Sequence, residues 1–187
     1  MAEQVRLVKI VLAGDGAVGK TSLRERYLGH GFRTEYLQTM GADFALHETK
    51  IDNERIRWQI WDLAGQPLFA NVVKTYYQGS YGAVIVYDVT RPETLEKIKD
   101  WAEDIWANTT YAAKVPFVLL GNKVDLKDQI VLTTDAGTKV AHQLAEARGG
   151  PVPHFETSAR TGVQVDEAFE ELGRLIFKFT EELPEED

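Results

Sequence analysis

The stretch Gly14-Asp15-Gly16-Ala17-Val18-Gly19-Lys20-Thr21 constrains this chain more than any other, because it fits G-x-x-x-x-G-K-[ST] at every position. Before it, Val5 to Ala13 is a β-branched, mostly apolar run that reads as a buried strand. After it, Ser22 to Gly29 is a short helix-compatible segment closed by a glycine suited to a C-cap. Strand, glycine-rich loop and helix in that order make a cradle for a polyphosphate. Glycines let successive backbone N–H groups curl around a dense anion, and the following helix offers the positive end of its dipole. Asp15, Gly16, Ala17, Val18, Gly19, Lys20, Thr21 and Ser22 are therefore the candidate phosphate contacts. The Lys20 ammonium would reach the β- and γ-phosphates, and the Thr21 hydroxyl would ligate magnesium.

The anion site must be local, because the whole chain carries a formal net charge of -8 and no Lys/Arg run that would follow a nucleic-acid backbone. Its 187 residues suffice for one well-buried domain, and no Pro/Ser-rich stretch marks a linker, so a single domain over 1–187 is expected, ending in an acidic tail at 181–187. The absence of cysteine removes disulfides, thiol nucleophiles and thiolate metal sites, and also prenylation and palmitoylation of this chain. With Ala2 excluding N-myristoylation and no signal peptide or spanning run, the expectation is a cytoplasmic monomer without a membrane anchor or a nucleic-acid partner. His30, His47, His142 and His154 show no ligand spacing and no nucleophile elbow occurs, which sets aside metalloenzyme and triad chemistry.

Beyond the first helix, 30–41 lacks periodicity and reads as a loop that feeds a strand through about Ile51, with Phe44 and Leu46 on one face. Asp52-Asn53 is a turn signal, and Ile56, Trp58 and Ile60 then alternate with polar residues, which predicts an antiparallel hairpin. That strand ends in Trp61-Asp62-Leu63-Ala64-Gly65-Gln66, placing a carboxylate at a carboxyl-terminal strand end, where ligands of open α/β sheets gather. Gly82 to Asp88 and Pro116 to Gly121 read as further buried strands. Between them a helix opens at Pro92 and carries Leu95, Ile98, Trp101, Ala102, Ile105 and Trp106. Asn122-Lys123-Val124-Asp125 follows the fifth strand, and an aspartate there can accept from both N1–H and the 2-amino group of guanine, a pattern that adenine does not offer. A helix over Thr133 to Arg148, a last strand that ends in His154-Phe155-Glu156-Thr157-Ser158-Ala159-Arg160 and a last helix with Val165, Phe169, Leu172, Leu175, Ile176 and Phe179 complete the order. The prediction is an α/β fold of the P-loop NTPase type, a six-stranded mixed sheet with one antiparallel strand and helices on both faces.

A phosphate loop followed by Asp-x-x-Gly-Gln and Asn-Lys-x-Asp resembles the small GTPases of the Ras superfamily, over about residues 5–180. Thr39-Met40-Gly41-Ala42-Asp43-Phe44, Trp61 to Gln66 and Tyr87-Asp88-Val89-Thr90 are most similar to the Rab branch. The resemblance implies a GTP-hydrolysing switch with Mg²⁺ as cofactor and GTP and GDP as substrate and product. It also implies an exchange factor, an activating protein and effectors as partners. By the same resemblance Thr39 would meet magnesium and the γ-phosphate, Asp62 would meet the metal through water, Gly65 would donate its amide to the γ-phosphate, and Gln66, with Lys20, would be catalytic. Phe32 would pack on the base and Tyr36 would cover the phosphates. Asn122, Lys123, Asp125 and the Ser158-Ala159-Arg160 loop would hold guanine, the backbone donors of Ser158 and Ala159 meeting the base oxygen. Phe44, Trp61 and Tyr76 would form the partner face. Two departures stand out: Arg160 replaces the family's usual lysine, and Pro67 follows Gln66 where glutamate is usual. A binding module with vestigial hydrolysis is the alternative, and an ATP-using P-loop kinase a more distant one.

Overall fold

The computed structural model describes residues 5–35, 37–111 and 114–183. Its strands are β1 (Val5–Ala13), β2 (Ala42–Ile51), β3 (Glu54–Leu63), β4 (Gly82–Asp88), β5 (Phe117–Asn122) and β6 (His154–Thr157). They form one six-stranded sheet in the order β2-β3-β1-β4-β5-β6, with β2 antiparallel to β3 and the other neighbours parallel. The mixed sheet expected from the sequence is therefore present. The hairpin turns at Asp52, whose φ of 54° lies in the left-handed region that a short turn demands.

The period-two alternation of β1 explains the layers. Ile10 and Leu12 point to one side and join Trp58, Phe169 and Leu172, while Val11 and Ala13 point to the other and join Ile85, Ile105 and Phe117. The first side is covered by α1 (Lys20–Tyr27) and α6 (Val165–Glu181). Covering the second are α2 (Ala70–Lys74), α3 (Pro92–Glu96), α4 (Ile98–Asn108) and α5 (Thr134–Arg148). Thr133 caps α5 by accepting from the Ala136 amide, and Gly149 closes it at φ 80°.

Two helical details differ from the sequence expectation. The helix opening at Pro92 is interrupted at Lys97 into α3 and α4, although the Trp101 amide still reaches the Lys97 carbonyl at 3.1 Å. A 3₁₀ turn at Pro67–Phe69 and the short α2 occupy a stretch where no helix was expected. With Val73 as its one buried residue, α2 offers almost no periodic apolar signal.

Candidate functional site

Strand register builds the site. Leu12 pairs with Asp62, Asp88 with Asn122, and Asn122 with Thr157, so β1, β3, β4, β5 and β6 deliver their carboxyl ends to one rim of the sheet. A cavity of about 720 Å³ opens there, lined among others by Gly16, Lys20, Thr39, Gln66, Lys123 and Asp125. Its size is that of a cofactor or nucleotide pocket.

At the cavity floor, the carbonyls of the loop from Gly14 to Val18 all receive side-chain donors. Lys20 Nζ donates to Gly14 O at 2.7 Å and to Asp15 O at 2.8 Å, and an Arg91 Nη donates to Gly16 O at 2.8 Å. Lys123 Nζ reaches Ala17 O at 2.7 Å and Asn122 Nδ2 reaches Val18 O at 2.9 Å. Fixing the carbonyls fixes the opposite ends of the same peptides, the N–H groups that a phosphate-binding nest must present. Burial pulls the Lys20 ammonium down to about 8, against the opposing pull of Asp62 and Asp15.

Three segments meet above Lys20. The Thr21 hydroxyl lies 3.0 Å from that of Thr39 and donates in a short hydrogen bond to Asp62 Oδ2. Asp62 is fully buried, and its Oδ1 has no hydrogen-bond partner among the described residues. Burial raises its carboxyl above the usual range, with the Thr21 hydrogen bond opposing. Two hydroxyls and an orphaned carboxylate oxygen fit magnesium, which takes few protein ligands and completes its shell with water and phosphate oxygens. Among the described residues no group of three or more His, Cys, Asp and Glu side chains could hold a metal ion.

Gly65 closes the same corner. A Cβ there would lie 2.3 Å from both Gly14 O and the Asp15 carbonyl carbon, so only glycine permits this approach of backbone to backbone. Gln66 rests on the loop: a Cβ on Gly16 would come within 2.9 Å of Gln66 Nε2.

At the far end, Asp125 Oδ1 accepts from the Ser158 hydroxyl at 2.7 Å, which orients its carboxylate. Asn122 Oδ1 accepts from Thr157 Oγ1 at 3.2 Å and from the Ala159 amide at 3.3 Å, tying β5 to β6 while its Nδ2 holds the loop. The Ser158 amide donates to Val163 O at 3.2 Å. Both amides expected to meet a base oxygen are thus engaged within the protein, the Ala159 amide only by a long bond. Arg26 of α1 braces this loop by donating to Ala159 O at 2.8 Å and to Arg160 O.

Other expected site residues are placed as follows. Ser22, Phe32 and Arg160 line the cavity, Phe32 remaining 43% exposed. The Asp15 carboxylate turns away to Lys97 Nζ and Trp101 Nε1, both at 2.9 Å, so only its backbone faces the loop interior. Val18 is buried under the loop. Tyr36 lies outside the described residues. Phe44, Trp61 and Tyr76 make a continuous aromatic row, with ring centroids 4.9 Å and 5.0 Å apart, and Trp61 and Tyr76 pack against the core on the side of the sheet that carries Val11 and Leu63.

Sequence reading missed three charged residues. Arg24 of α1 is only 5% exposed and pairs with Asp43 at 2.8 Å. Asp88, 1% exposed, accepts from Lys123 at 2.8 Å and Arg91 at 3.2 Å. The signal for Asp88 was available, since it is a carboxylate at the carboxyl end of a central parallel strand. For Arg91 there was none, because nothing in Tyr87-Asp88-Val89-Thr90-Arg91 announces a contact 75 residues back in the chain.

A family model described as "Ras family" matches residues 9–178. The chain belongs to the Ras family. It is 38% identical over 171 residues to Ypt/Rab-type GTPase YPT7 of Saccharomyces cerevisiae, covering 90% of this chain and 80% of that protein. It is also 40% identical over 172 residues to Ras-related protein Rab-13 of Rattus norvegicus, covering 91% and 80%. Ras-related protein Rab-7a of Dictyostelium discoideum is similar at 36% identity over 179 residues, covering 95% and 86%. These likenesses put this Ras-family chain in the Rab branch, and it is a GTP-binding GTPase switch. Among the described residues no helix is long and apolar enough to cross a membrane.

Proposed function

We propose that this chain cycles between two shapes by closing two loops, 30–41 and 64–69, over the terminal phosphate of GTP. One observation carries the reading: the Thr39 hydroxyl stands 3.0 Å from that of Thr21, which is itself bonded to Asp62. Three segments distant in sequence converge on one point beside the Lys20 ammonium. Thr21, Thr39 and, through water, Asp62 would hold Mg²⁺, which would supply positive charge to offset that of the phosphates.

The chain's own groups do the rest. The loop amides and Lys20 stabilise charge developing on the transferred phosphoryl group, Gly65 offers its amide to the γ-phosphate, and Gln66 orients the attacking water. Asp125, held by Ser158, accepts from guanine, and adenine would leave that carboxylate short of hydrogen bonds. Phe32 packs on the base. Thr39 and Gly65 lose their attachment when the γ-phosphate leaves, so both loops relax. Exchange factor, activating protein and effector read that change across the face of Phe44, Trp61 and Tyr76, where aromatic anchors are already exposed in part. Unaided turnover is slow, and an arginine from a partner raises it by about 10³ to 10⁵.

Mass spectrometry of the nucleotide released from freshly purified protein tests the ligand, with guanine nucleotide expected. Single-turnover hydrolysis of loaded GTP tests the chemistry. Tighter binding of ATP than GTP, or a Gln66→Leu variant as fast as wild type, overturns the corresponding part.

A further inference from the structure

The phosphate loop makes one turn that its sequence disfavours. Ala17 sits at φ 63°, in the left-handed region that L-residues other than glycine rarely adopt. The two peptides flanking Ala17 are held from outside by two cations, Arg91 on Gly16 O and Lys123 on Ala17 O, and both cations rest on the buried carboxylate of Asp88. Asp88 is further fixed by the amide and hydroxyl of Thr90, at 2.9 and 2.6 Å. Lys123 belongs to the Asn-Lys-x-Asp sequence. Arg91 belongs to no motif.

We propose that Arg91 is a positioning residue for GTP hydrolysis in this chain, a built-in cation that holds and polarises the Gly16–Ala17 peptide. This rests on the reading of the site given under Proposed function. The peptide it grips carries Gly16 C=O at one end and Ala17 N–H at the other, and a charged donor on the carbonyl strengthens the N–H as a donor in turn. Gly65 packs against the Gly14–Asp15 and Asp15–Gly16 peptides and Gln66 against Gly16, directly ahead of that peptide, whereas Lys123 and Asn122 hold the carbonyls that follow it. Its N–H therefore serves the end of the nucleotide where charge develops during cleavage, and a donor strengthened there lowers the barrier more than it tightens the ground state. Only arginine has the shape for this: Nε bonds Asp88 while a terminal Nη reaches Gly16, a fork that lysine does not possess.

The test compares wild type, Arg91→Ala and Arg91→Lys, each loaded with GTP and magnesium, by single-turnover hydrolysis and by the dissociation rate of bound GDP. Arg91→Ala is expected to hydrolyse GTP about ten-fold more slowly while GDP dissociation changes by less than about three-fold. Millimolar guanidinium is expected to restore part of the lost rate in Arg91→Ala and to leave wild type unchanged, and Arg91→Lys is expected to fall between the two. An Arg91→Ala variant with the wild-type rate overturns the assignment. So does one that loses rate and GDP retention together without response to guanidinium, which marks a merely structural contact. Failure of wild type itself to hydrolyse GTP overturns the wider reading of the site instead, so the two failures are told apart.

Discussion

At Gly65 a single missing carbon decides whether two loops can touch. Any side chain there would place its Cβ 2.3 Å from Gly14 O and from the Asp15 carbonyl carbon, and both are backbone atoms that cannot swing away. Gly65→Ala must therefore lift the 64–69 segment off the phosphate loop, carrying Gln66 with it. GDP binding rests on the other side of the loop and on the Asp125 end, so GDP dissociation should stay near wild type. Single-turnover GTP hydrolysis should fall by at least about ten-fold, the order expected when a positioned group loses its transition-state contact. An alanine variant with unimpaired hydrolysis would show that the close approach is incidental. Much at this scale was legible in the sequence: Lys20, Thr21, Asp62 and Asn122 lie where their motifs imply. Motifs report groups that touch the ligand; they are silent about Arg24, Asp88 and Arg91, whose partners are chosen by the folded sheet and by no local pattern.

Among elements, the informative one is the short 3₁₀ turn that begins at Pro67. The residue before a proline is driven out of helical geometry, and Gln66 accordingly sits at φ -82°, ψ 142°, extended, immediately ahead of the turn. This holds Gln66 as the last extended residue, lying against Gly16, rather than letting it wind into the helix that follows. Pro67→Glu removes the restriction and lets Gln66 sample helical conformations, a loosening worth about 0.4–1 kcal/mol, or two- to five-fold in rate. Single-turnover hydrolysis should slow by that factor with GDP retention unchanged, and a rate equal to wild type would count against the constraint. Strands and long helices were readable because β1 is mostly apolar and β-branched, β4 and β5 are nearly continuous apolar runs, and α6 repeats its apolar residues at helical spacing. The five-residue α2 was not, since its single buried residue, Val73, makes no period.

Over the whole molecule, a rigid edge faces two segments with little hold of their own. Asp62, Asp88 and Asn122 stand at strand ends and are buried, so the rim cannot shift without breaking the sheet. The 30–41 segment, by contrast, leaves Leu37 70% and Met40 72% exposed, and the 64–69 segment leaves Leu68 85% exposed. Among the described residues the ties include Thr39 to Thr21, the Ala64 amide to Gly41 O at 2.8 Å, and the contact of Gly65 with the loop. Exposed segments outside the sheet open at smaller cost than its strands, so a ligand that adds one or two attachments changes their protection strongly while leaving the sheet untouched. Hydrogen exchange followed by mass spectrometry should then show slower exchange in 30–41 and 64–69 with a non-hydrolysable GTP analogue and magnesium than with GDP. Strands β1, β4 and β5 should exchange alike in both. Chelating the magnesium should release 30–41 first, because the Thr39 hydroxyl faces that of Thr21 at the proposed metal site, whereas Gly65 retains its packing on the loop. Equal protection of both segments in the two nucleotide states would mean that the edge, and not the loops, carries whatever a partner reads.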